Sequence, residues 1–217
     1  MCYDKNKNTG SHTAGGRTDD GKMDSLYEKY RKLNIAGALI ALERRGDVAP
    51  YFCYPQNARA IGYEGCILYC FIEGFGDMVF AANPESCADR NVYPLAASFA
   101  DFMRLVLACG SANPVEQIVW MDQKQFERHL REEEKARTDE QRELLAYLKR
   151  ELDLTPMQDP FTYVKKLQAG FDGSAIQYDE EYYDVLGLER PARRKRRKEE
   201  NGFEFPPVVF KTTKKKK

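Results

Sequence analysis

The run from Cys66 to Ile72 holds seven residues and no charge. Cys66, Leu68, Cys70 and Ile72 would point one way from an extended backbone, and Ile67, Tyr69 and Phe71 the other. A strand apolar on both faces belongs in the middle of a sheet that is covered on both sides. Met78 to Ala82 follows closely enough to pair with it as an antiparallel hairpin, the glycines of Gly74-Phe75-Gly76-Asp77 permitting the turn. A Val92-Tyr93-Pro94-Leu95-Ala96 segment comes next. Ser98 then opens a helix as the first residue of an S-x-x-D capping pattern completed by Asp101. In that helix Phe99, Phe102, Met103, Val106 and Leu107 make a wide apolar stripe, and Gly110 stops it.

Around this segment the spacing predicts further elements. Leu26, Tyr27, Tyr30 and Leu33 read as one helical face, capped by Asp24-Ser25. Ile35, Leu39 and Leu42 read as a second helix that ends at Gly46. Tyr51 to Tyr54 and Ala60 to Tyr63 read as short β runs. After Gly110, helices are expected from Asn113-Pro114, Asp122, Thr138 and Asp159-Pro160, the last containing Tyr163, Val164 and Leu167. No internal repeat appears. The resulting fold class is α+β, a mostly antiparallel sheet covered by helices, with a C-terminal helical extension and disordered termini. Residues 1–22, poor in large apolar side chains, read as a disordered N-terminal segment. Residues 23–134 form the α+β domain, 135–189 a helical extension packed on it, and 190–217 a basic disordered tail.

The order of buried hairpin, Val-Tyr-Pro-Leu-Ala segment and Ser-Phe-x-Asp-Phe helix resembles the SUKH superfamily, which includes the Smi/Knr-type cell-wall regulators and bacterial immunity proteins. The likeness is carried by Gly65 to Phe71, Gly76 to Phe80, Val92 to Ala96, and Ser98, Phe99, Asp101, Phe102 and Leu105. Trp120 and Phe126 answer to downstream aromatics of that family. The Leu-Pro-x-x-Tyr helix and Asn-Gly-Gly turn usual before the sheet are not found before Tyr51. The resemblance implies a non-enzymatic domain that binds other proteins without a cofactor. In a bacterium it implies an immunity protein that covers the active site of a toxin.

Charge gives that expectation a physical form. The formal net charge of the 217 residues is zero, but residues 190–217 hold twelve Lys/Arg against three Glu. Residues 1–189 therefore hold 22 basic and 31 acidic side chains, an acidic body joined to a basic tail. An acidic surface suits a basic partner such as a nuclease. Glu64, Glu73, Asp77, Glu85 and Asp89 are expected near the ends of the strands, and Tyr51 and Tyr63 are candidate aromatic anchors, with Tyr69 as a further aromatic candidate. The alternative partner is nucleic acid, bound by Arg193, Arg194, Lys195, Arg196, Arg197 and Lys198 through phosphate contacts.

The remaining chemistry is sparse. Six cysteines and two histidines offer no C-x-x-C. Cys66 and Cys70, four residues apart on a strand, would sit roughly 13 Å apart, beyond the roughly 7 Å that a disulfide spans. They read as buried free thiols in a reducing cytoplasm, and His129, between Arg128 and Arg131, reads as a surface residue. No catalytic residue, metal site or cofactor is expected. No apolar run reaches membrane-spanning length, so no membrane partner is expected either.

Overall fold

The computed structural model describes residues 25–45 and 48–190. Among them the fold is α+β: a four-stranded antiparallel sheet of β1 (Ala58–Glu64), β2 (Ile67–Ile72), β3 (Val79–Ala82) and β4 (Val92–Ala96), in the order β1-β2-β3-β4. Seven helices accompany it. They are α1 (Ser25–Lys32), α2 (Phe99–Cys109), α3 (Ala112–Gln117), α4 (Gln123–Ala136), α5 (Asp139–Leu152), α6 (Pro160–Ala169) and α7 (Glu180–Leu186). No helix among the described residues is long and apolar enough to cross a membrane.

Alternation sorts the strands onto two faces. Tyr69, Phe71, Val79, Ala81, Tyr93 and Leu95 enter the larger core, and Leu68, Cys70, Ile72, Phe80, Ala82 and Val92 a separate one behind the sheet. β2 is thus apolar on both faces because both are covered. A bulge in β1 leaves Ile61 between Ala60, opposite Cys70, and Gly62, opposite Tyr69. The extra residue shifts the register by one, so that Ala58 and Tyr63, an odd number of positions apart, both pack on the outer core while Ile61 enters the larger one.

On the inner face α2 buries Phe99, Phe102, Met103, Leu105, Val106 and Cys109. Ser98 accepts from Asp101 N at 3.1 Å, and Gly110, at φ 92°, closes the helix in the left-handed region. Asp101 is only half of the expected box, because its carboxylate instead holds Arg104 and Tyr163. α1 packs Tyr27 edge-on to Phe71 and Phe99 at 4.9 and 5.0 Å, and its hydroxyl donates to Ala60 O. Leu145, Leu148, Leu152 and Val164 of α5 and α6 join the same core. α6 lies along β4, the edge strand, where Gln168 Nε2 donates to Pro94 O at 3.2 Å.

Three expectations are corrected. Residues 35–45 do not form a helix. A short 3-10 turn, Gly37–Ile40, runs into Ala41 at φ 57°, and Glu43 then pairs with Tyr63 by two 2.9 Å backbone bonds. The chain crosses so closely that a Cβ on Gly62 would lie 2.8 Å from Leu42 backbone atoms, and one on Gly37 would lie 2.1 Å from Leu42 O. Leu42, wholly buried, gains more from this crossing than from a turn of helix. Tyr51 to Tyr54 is a turn rather than a strand. α3 begins at Ala112 with Ser111 as its cap, placing Asn113-Pro114 inside the first turn, where a missing N–H costs nothing. Gly46, the expected stop, lies outside the described residues.

Candidate binding edge

An antiparallel meander sends its first and third connections to one end of the sheet and its second to the other. Glu64, at the end of β1, and Glu85 and Asp89, between β3 and β4, therefore share one end. Glu73 and Asp77 stand exposed on the β2–β3 turn at the opposite end. The structure thus divides the five predicted carboxylates into a group of three and a group of two.

The group of three has aromatic neighbours. Tyr51 is 46% exposed, and its ring lies 5.6 Å from that of Tyr54, whose hydroxyl donates to Cys66 O at 2.7 Å in the β1–β2 turn. Tyr63, half-buried, packs on the outer core. Tyr69, also named as an aromatic candidate, is wholly buried, and its hydroxyl donates to Glu64 Oε2 at 3.1 Å. Two cations stand at this end: Arg90, exposed in the β3–β4 loop beside Asp89, and Arg45, which donates to Gly65 O at 3.2 Å and to Glu43 at 2.7 Å, so that its charge is matched.

Behind the edge lies a group that sequence reasoning missed. Glu116 of α3 is 2% exposed, and its Oε1 accepts from Asn83 Nδ2 at 2.8 Å and from the Tyr93 hydroxyl. Asn83 and Tyr93 flank the β3–β4 loop, so one buried carboxyl grips both of its ends. The loop is pinned again by Asn83 N donating to Asn91 O at 2.8 Å and Asn91 Nδ2 to Asn83 O at 3.0 Å. Asn83 Oδ1 accepts from Glu85 N at 2.9 Å, fixing the residue that presents the charge. The available signal was a carboxylate on a short helix between Val115 and Ile118, both core residues. A charged side chain on a buried face requires partners.

Burial raises the Glu116 carboxyl above its ordinary range, against the lowering effect of the Tyr93 and Asn83 hydrogen bonds. Burial also raises Glu64, with Glu116 and Glu133 pushing the same way and bonds from Asn113 and Tyr69 opposing. The Cys66 thiol is raised by burial first and by Glu85 second. The same desolvation and the two carboxyls hold Tyr69 and Tyr93 in their neutral, donating forms. The arrangement is a hydrogen-bonded support under an acidic rim.

Other candidates fall elsewhere. Cys70 is a buried free thiol as expected, but Cys66, expected to be buried too, is half-buried; Cys53 and Cys109 are also buried free thiols and Cys87 is exposed. His129 is half-buried, with Nε2 enclosed, rather than a plain surface residue. Trp120 is 42% exposed, while Phe126 lies in the core against Phe161. Among the described residues no group of three or more His, Cys, Asp or Glu could hold a metal ion. A cleft of about 670 Å³ between α2 and α6 is lined by Asp101, Arg104, Thr155, Asp159, Tyr163 and Lys166. Its Asp101, Arg104 and Tyr163 are already joined by 3.0 Å bonds. The basic residues Arg193 to Lys198 lie outside the described residues. Arg190, just before them, pairs with Glu180 at 2.9 Å and Asp184 at 2.7 Å. This chain matches no protein-family model, no curated protein and no solved structure.

Proposed function

We propose that this chain is a non-enzymatic protein-binding domain of the SUKH type, acting in the cytoplasm, and that its specific role is to neutralise a toxin by direct binding. The observation that carries the reading is the convergence of Glu64, Glu85 and Asp89 at one end of the sheet, beside exposed Tyr51, with the β3–β4 loop braced by buried Glu116. Acidic rims speed encounter with basic surfaces, and aromatic side chains supply contact area. A prearranged loop loses little freedom on binding, which favours affinity. The partner is accordingly a protein with a basic groove, such as a nuclease.

Affinity capture from the native cell with the full chain as bait, followed by mass spectrometry, tests this. A basic protein should be recovered at low salt and lost at high salt, and purified bait should suppress that protein's activity. Recovery of no specific protein at low salt, or of one whose activity is unchanged, would contradict the reading.

A further inference from the structure

The two faces of the sheet are closed in unlike ways. The inner face is sealed chiefly by α2, which buries six side chains, with Leu145, Leu148 and Leu152 of α5 and Val164 of α6 in the same core. The outer face, with Leu68, Cys70, Ile72 and Phe80, lies under the turn at Cys53-Tyr54 and under the last stretch of described chain. Of residues 170–190 only Ile176 is buried, and α7 buries none. Contact is otherwise made by rings. Phe171 lies 5.4 Å from Phe80 and 5.6 Å from Phe75, and Tyr182 stacks on Tyr178 at 3.8 Å and lies 6.3 Å from Phe52. Gln56 ties the stretch to the body, its N donating to Gln177 O at 2.8 Å and its Nε2 to Asp179 Oδ1 at 2.6 Å. Gly170 and the Asp172-Gly173-Ser174 turn connect it to α6.

We propose that residues 171–190 are a detachable cover, and that the outer sheet face beneath is a second docking surface, separate from the acidic edge. Segments with few buried contacts open with a small part of the free energy that unfolds the core. Opening uncovers a contiguous apolar patch of the kind that marks interaction sites. The cover itself states what fits there: an acidic segment with an aromatic residue, an aliphatic one five positions later and a tyrosine six beyond that in a short helix, as in Phe171, Ile176 and Tyr182 of α7. In the closed molecule that ligand is supplied in cis, and a free segment of the same chemistry competes for the face only when the cover lifts.

The cysteines make the opening measurable. Cys53, close to Tyr178 and Tyr182, and Cys70 beside it lie under the cover, whereas Cys109 is in the inner core on α2. All three are buried. The full chain is labelled with a thiol reagent at rising sub-denaturing urea, and each cysteine is followed by peptide mass spectrometry. Cys53 and Cys70 should label at least about tenfold faster than Cys109, with a weaker urea dependence, because local opening exposes less surface than global unfolding. Leu148→Ala, in the inner core, should speed Cys109 and leave Cys53 and Cys70 within twofold. One common rate and urea dependence for the three thiols would overturn the cover. In full-length Ile176→Asp, a synthetic peptide of residues 171–190 should slow Cys53 and Cys70 labelling about tenfold at saturation. Labelling indifferent to the peptide would overturn the docking surface. The acidic edge plays no part in either readout.

Discussion

The two ends of the sheet carry the same kind of charge on differently built turns. At one end Glu64 accepts from buried Tyr69, and Glu85 and Asp89 stand on a loop whose flanks are bonded to a buried carboxyl. At the other, Glu73 and Asp77 stand on a turn shaped by Gly74 and Gly76 at φ 90° and 61°, anchored by Phe75 against Phe80 at 5.3 Å. The first end spends buried polar groups on holding a loop; the second uses backbone freedom to make a reversal. A carboxylate on a braced loop is presented at a fixed place, which is what recognition requires. A carboxylate on an exposed turn mainly keeps an edge solvated.

Substitutions should separate the two ends by size of effect. The largest loss is expected for Glu116→Ala, which leaves Asn83 Nδ2 and the Tyr93 hydroxyl buried without an acceptor. Urea unfolding should show about 2–4 kcal/mol of destabilisation, and a loss within about 0.5 kcal/mol would remove Glu116 as the brace. Gly74→Ala, at the opposite end, has open space for its Cβ but an unfavourable φ. It should cost about 1–2 kcal/mol in the same assay and leave the first end unaffected. The double charge reversal Glu73→Lys, Asp77→Lys should change stability by no more than about 0.5 kcal/mol; a larger loss would show a hidden role for that turn.

Protonation sharpens the comparison further. Glu116 and Glu64 have folded pKa values raised above the ordinary 4.5. Between that value and the folded one, the native state keeps protons that the unfolded chain releases. These two groups therefore make stability fall as pH rises through the window, and their penalty vanishes below it. Glu116→Gln keeps an acceptor for Asn83 and Tyr93 without the ionisation. It should flatten the fall in stability as pH rises above the ordinary 4.5, and lower stability least, or raise it, at the high end of that rise. An unchanged slope in urea midpoints would show that Glu116 does not titrate in that window.

Much of the scaffold was legible because local rules and tertiary contacts agree there. β2 is apolar on both faces and is covered on both; Ser98 and Gly110 bound a helix whose stripe is its buried face. Residues 35–45 were not legible, because their helical spacing is overridden by Leu42 crossing Gly62, a contact 20 positions apart in the chain. The carboxylates of the binding edge were individually visible as residues near strand ends. Their division between the two ends needed the meander. Glu116 reaches Asn83 across 33 residues, and no local pattern encodes that pairing. α7 was hidden for the opposite reason, since a short helix that buries nothing leaves no stripe to read.

The most direct measurement captures partners from the native cell with three full-length baits: the natural chain, Glu85→Lys with Asp89→Lys, and Glu73→Lys with Asp77→Lys. Quantitative mass spectrometry at low salt should recover the same basic protein with the natural chain and the Glu73/Asp77 variant, and at least about tenfold less of it with the Glu85/Asp89 variant. Equal recovery by all three baits would contradict the claim that the braced acidic end of the sheet is where this protein binds.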